Sequence, residues 1–136
     1  MKRRMSRLEM QGKILDATDR LLARYGYRKM TIDDLAAEVG IGKGSIYLHF
    51  RSKEEVVYSH IDRVIVRLLQ RLAQIAQSRR TPADKLREMI VLRVMFRFDS
   101  VQHFPESLAD MFRDLRPGIY RHRQNHFKQE QRLFAT

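Results

Sequence analysis

Apolar residues recur along this chain with helical rather than strand spacing. Ile14, Ala17, Leu21 and Leu22 fall on one stripe under the i, i+3, i+4, i+7 rule, which predicts a first helix over about residues 8–25. Gly26 follows as a left-handed residue that ends it, with Tyr27 placed to pack back on the last turn. Thr31 and Asp34 have the spacing of a capping box, with Asp in place of the usual Glu, so a second helix starts at Ile32. Gly40 stops it, and Ile41-Gly42 joins it tightly to a third short helix over residues 43–49. Ser52 and Glu55 repeat the capping pattern and open a long helix from Lys53 towards Gln77. Its expected buried stripe is Val57, Ile61, Val64, Ile65, Leu68, Leu72 and Ile75. Arg63, Arg67 and Arg71 recur on another face as a solvated row.

Ser78-Arg79-Arg80 reads as a linker, after which Thr81 serves as N-cap, Pro82 as first helical residue and Asp84 as first-turn acid. The helix that follows is apolar on almost every side between Met89 and Phe98, the pattern of a central element. A short helix over residues 105–112 comes next, then a break at Pro117-Gly118 and a basic final helix from Ile119. The fold class expected is all-α.

Composition narrows the chemistry. The 136 residues are 43% hydrophobic, enough for a packed core, and 6 Gly with 3 Pro are too few for the turns of a β-sandwich or barrel. With no cysteine, disulfides and cysteine zinc sites are excluded. A net charge of +11 suits a polyanionic partner, nucleic acid before an acidic membrane surface. Residues 1–60 carry 12 basic and 8 acidic side chains and residues 61–136 carry 15 and 8, so most of the excess lies in the second half. Lys2-Arg3-Arg4 forms a basic arm suited to phosphates or the minor groove. No apolar run of signal-peptide or membrane-spanning length is present, and a cytoplasmic protein with no membrane partner is expected.

The informative stretch is Thr31 to Lys53. Counted from Ile32, a helix-turn-helix wants apolar residues fourth, eighth, tenth and fifteenth, and Leu35, Val39, Ile41 and Ile46 supply them. It wants a small residue fifth and glycine ninth, and Ala36 and Gly40 are there. Ala36 lets two steeply crossing helices approach closely, and Gly40 permits a turn that a β-carbon would obstruct. The apolar positions then fix the third helix at a set angle, leaving its outer face for the major groove. The bland alternative is an ordinary helical hairpin.

On that outer face Lys43 is the candidate for guanine O6 or N7, Ser45 can donate or accept, and Tyr47 can reach a phosphate, with His49 beside them. Gly44 removes a side chain and allows close backbone approach. Lys53 opens the long helix, where a cation is not stabilised by the helix itself and a phosphate would offset that cost.

The motifs Thr31-Ile-Asp-Asp-Leu-Ala, Val39-Gly-Ile, Lys43-Gly-Ser-Ile-Tyr-Leu-His-Phe and Ser52-Lys-Glu-Glu together resemble the DNA-binding head of the TetR/AcrR family of bacterial transcription regulators. The resemblance runs over about residues 13–57 and implies a three-helix head that contacts double-stranded DNA. It implies Lys43, Ser45, Tyr47 and His49 on or beside the groove-facing surface and phosphate contacts at Thr31, Tyr47 and Lys53, and with Gly44 from the reading above these are the expected DNA-binding residues. Gly42 departs from the pattern, since relatives often carry Ser there as the cap of the third helix.

The same likeness implies residues 1–52 as a helix-turn-helix domain, with the motif at about 31–50, and residues 53–136 as a helical regulatory lobe that binds a small-molecule effector and forms a homodimer. The lobe ends inside a helix, so either the chain is incomplete or the lobe is unusually small. Met89, Leu92, Phe96, Met111 and Phe112 are candidate walls of an apolar effector pocket, against the plainer reading that they form core. Arg93 and Arg97 share a face and could hold a carboxylate-bearing effector, or pair with Asp99, Asp110 or Asp114. His122 and His126 have metal-ligand spacing with only Glu130 as a third group, so no metal and no cofactor is expected. No catalytic constellation stands out. The expected function is a repressor of a pseudo-palindromic operator released by an effector; the alternative is an effector-independent basic helical DNA-binding or interaction module.

Overall fold

The computed structural model describes residues 4–103, 113–115, 118, 124 and 127–135. It is all-helical, with α1 Arg7–Tyr25, α2 Ile32–Val39, α3 Lys43–His49, α4 Lys53–Ala76 and α5 Pro82–His103. Residues 113–115, 118, 124 and 127–135 are also helical, and Gly118, expected at a break, is among them. Lys2, Arg3 and the expected short helix near residues 105–112 lie outside the described residues.

Local chemistry sets the boundaries. Ser6 caps α1 with a complete capping box, its hydroxyl accepting from the Glu9 N–H and Glu9 accepting from the Ser6 N–H at 2.8 Å. The expected start at residue 8 is one residue late, because the apolar stripe begins further in. Thr31 and Asp34 form the expected reciprocal box on α2. At α4 the second box is only half made: Ser52 accepts from Glu55, but the Glu55 carboxylate takes the Arg51 N–H at 2.7 Å instead. Gly26 has φ 79 and ψ 170, a glycine-only region outside the left-handed helical well expected for it. Gly40, at φ 85 and ψ 31, is left-handed as the turn requires.

One core cluster joins α1, α2, α3 and the start of α4. Ile14, Ala17, Met30, Leu35, Ile46, Val56 and Val57 fill it, each no more than about one-twentieth exposed. A second, smaller cluster joins the far end of α4 to α5 through Leu68, Leu72 and Met89, with Leu92, Phe96, Leu133 and Phe134 against it. Two expectations change. Arg63 does not join a solvated row: its guanidinium meets Asp16 Oδ1 at 2.7 Å and the Gly12 carbonyl at 3.3 Å on α1, while Arg67 and Arg71 are exposed. And α5 is not buried all round, since Ile90, Val91, Val94 and Met95 are exposed. Its packed side meets α4 and, through Leu92, Arg93 and Phe96, the helical residues 127–135.

Candidate nucleic-acid interface

The core fixes α3 from beneath. Ile46 at the middle of this two-turn helix is fully buried and Phe50 at its C-cap nearly so, which pins it to α1 and α2. Its first turn lacks a side-chain cap bond, because Gly42 stands at the N-cap. Facing outward are Lys43 and Gly44, with Tyr47 at 46% and Leu48 at 76% exposure. These four have the i, i+1, i+4, i+5 spacing of one helix face. Ser45 and His49 are half-buried on its flank, so they turn partly back to the protein. His49 Nδ1 is buried and lacks a hydrogen-bond partner among the described residues.

Leu48 was missed by the sequence reading, although a signal existed. It is the apolar residue of α3 that the helix-turn-helix frame does not use, and an apolar residue off the buried frame must face water or a partner. Such a side chain suits a thymine methyl group.

Lys43 Nζ lies 3.5 Å from Asp33 Oδ2, both side chains more than half exposed. A pair so exposed is worth at most about 1 kcal/mol and exchanges readily for a nucleotide partner. Thr31 is exposed at the start of α2, and its hydroxyl proton stays available while the oxygen caps Asp34. Lys53 stands at the first position of α4, its ammonium 4.3 Å from the Tyr27 ring centroid and 3.5 Å from the Arg28 carbonyl it donates to. Burial pushes its pKa down, with Glu54 and Asp114 pulling the other way. Tyr27 donates to Glu54 Oε1 at 3.3 Å, and burial together with that carboxylate raises its pKa well beyond the phenol range. The Lys53 ammonium is thus a partly desolvated cation at a positive helix end, an environment that an incoming phosphate improves.

The expected lobe pocket is arranged differently. Met89 is 3% exposed and packs into the α4–α5 core, with Leu92 and Phe96 against it, so these three seal an interface. Arg93 pairs with Glu130 across 37 residues, and Asp114 meets Arg28 instead, while Asp110 and the Asp99 side chain lie outside the described residues. Met111, Phe112, the Arg97 side chain, His122 and His126 lie outside the described residues. An open groove of about 610 Å³ runs beside that contact, floored by Ile75, Val91, Leu92 and Met95 and edged by Arg71 and Arg87, so Leu92 of the expected pocket residues also lines it. No helix among the described residues is long and apolar enough to cross a membrane.

Residues 14–58 match the model of the bacterial regulatory proteins, tetR family. Over 93 residues the chain is 31% identical to the HTH-type transcriptional repressor KstR2 of Mycobacterium tuberculosis, covering 68% of this chain and 44% of that protein. Over 84 residues it is 32% identical to the uncharacterized HTH-type transcriptional regulator YerO of Bacillus subtilis, covering 60% of this chain and 29% of that one. The chain thus spans less than half the length of these curated relatives. Among solved structures, the fatty acid degradation regulator FadR from Bacillus halodurans superposes with a TM-score of 0.70 at 20% identity, over 98% of this chain and 69% of that one. A TerR/AcrR family regulator from Aquifex aeolicus gives 0.60 at 20% identity, over 91% and 66%. Those two likenesses speak to the fold alone. The amino-terminal head, residues 14–58, is thus a DNA-binding domain of the tetR family of bacterial regulatory proteins.

Proposed function

We propose that this chain is a DNA-binding transcriptional regulator that acts as a repressor. The carrying observation is the contrast within α3: Ile46 is fully buried, while Lys43, Gly44, Tyr47 and Leu48 present an open face. A rod held this way can enter the major groove, with Lys43 bonding guanine and Leu48 meeting a thymine methyl. Thr31, Tyr47 and Lys53 flank it as phosphate contacts, while Ser45 and His49 lie at the edge. Among the relatives, KstR2 bears the name of a repressor, which favours that sign of regulation.

Two copies bound as a homodimer would read half-sites about 34–36 Å apart, so the operator is a pseudo-palindrome. A small molecule that prefers a conformation with mismatched head spacing releases the protein. Selection of bound sequences from random duplex DNA tests the reading directly. Recovery of a palindrome, with affinity reduced by Lys43→Ala and Tyr47→Ala, is the expected result. Equal affinity for selected and random duplexes would reject it in favour of a basic interaction module.

A further inference from the structure

Arg28 lies in the turn between α1 and α2, three residues before the α2 cap Thr31, and its carbonyl receives the Lys53 ammonium at 3.5 Å. Three groups suited to phosphate therefore meet where the starts of α2 and α4 come together. The Arg28 guanidinium, however, is engaged by a carboxylate from far along the chain: its Nε donates to Asp114 Oδ2 at 3.3 Å. Asp114 is held there by its neighbour. Leu115 is 3% exposed and inserts into the head core beside Tyr58, and a β-carbon at Gly118 would overlap the Tyr58 phenol. Helical residues 113–115 thus dock an acid onto the corner of the head that the DNA reading assigns to backbone phosphates.

We propose that Arg28 is a further phosphate-contacting residue and that Asp114 withholds it from DNA while residues 113–115 are docked on the head. The proposal rests on the DNA-binding reading. Both side chains are part-exposed, at 50% and 38%, so the pair is weak enough for a phosphate to displace the carboxylate. Asp114 also places a negative charge near Lys53 and Tyr27, opposing a phosphate at the same corner. Docking and undocking of this segment then sets how many cations the head offers to DNA.

The test is the salt dependence of binding by the full chain to a duplex recovered by selection. Each phosphate neutralised contributes a slope of about 0.9 in log K against log salt. Arg28→Ala should flatten the slope by about that amount, and Arg28→Gln, which keeps a donor for Asp114, should do the same. Asp114→Asn should tighten binding in the parent and by clearly less in the Arg28→Ala background, where only its charge near Lys53 is relieved. A parental slope in both Arg28 variants overturns the proposal, as does an Asp114→Asn gain that is undiminished without Arg28, which would be long-range repulsion only. Loss of binding with Lys43→Ala alongside unchanged slopes in the Arg28 variants removes this proposal and leaves the DNA reading standing. A chain that binds no duplex removes both.

Discussion

Replacing Gly40 with alanine puts a β-carbon at a left-handed position, φ 85, in the turn that sets the angle of α3. The added atom meets nothing within 4 Å, so the cost is purely conformational. A left-handed L-residue costs about 1–2 kcal/mol, with no clash to add to it. Gly12 supplies the internal control. It lies inside α1, its β-carbon would also meet nothing within 4 Å, and its backbone is already helical. There the same chemical change should stabilise by about 0.5–1 kcal/mol, because alanine loses less freedom on folding than glycine. Urea unfolding of both variants at one protein concentration measures the two effects, which should have opposite signs. The concentration is held fixed because association with a second copy would shift the apparent stability. Equal stability of the parent and Gly40→Ala would refute the assignment of this turn. So would shifts of both variants in the same direction, since nothing but backbone conformation separates the two sites.

Ile46→Ala should cost about 2–5 kcal/mol of stability, whereas Leu48→Ala on the neighbouring turn should stay within about 0.5 kcal/mol and weaken binding to a selected duplex. Thermal unfolding and gel-shift titration of the pair check this, and similar stability losses in both would mean α3 is turned otherwise. Lys53→Ala should flatten the salt dependence of DNA binding by about one unit, and an unchanged slope would strike it from the contacts. His60, 6% exposed with Nε2 3.5 Å from Asp19, has its pKa pushed below the usual 6.5 by burial, with Arg63 and Arg67 adding to that and Asp19 and Asp16 opposing. A depressed folded pKa means the unfolded chain binds the proton first, so stability holds above about pH 6.5 and falls as pH drops below it. His60→Gln should remove that part of the decline in urea midpoints, and identical pH profiles would contradict the burial argument.

Much of the fold could be read because its rules are short-ranged. Thr31 with Asp34, Ser52 with its first turn, Thr81 with Asp84, and Gly40 act over three or four residues, and the starts of α2, α4 and α5 follow from them. The helix-turn-helix frame is local too, and Leu35, Ala36 and Ile46 are all buried. Periodicity was weaker on α4, where the buried set includes Val56, His60 and Leu69 beyond the expected stripe, because two different clusters claim different faces of one helix.

The helices, their caps and the residues that hold α3 down are legible in the order of amino acids, since each depends on neighbours within a turn or two. Long-range partners come from packing. Arg28 meets Asp114 across 86 residues, Arg63 meets Asp16 across 47 and Arg93 meets Glu130 across 37. A charged side chain carries no local signal of which distant opposite charge the packing will bring beside it. The same reason separates Leu48, left facing outward at 76% exposure, from Met89, sealed at 3%: apolar character says that a residue favours burial, and only the packed fold says whether a surface is there to bury it.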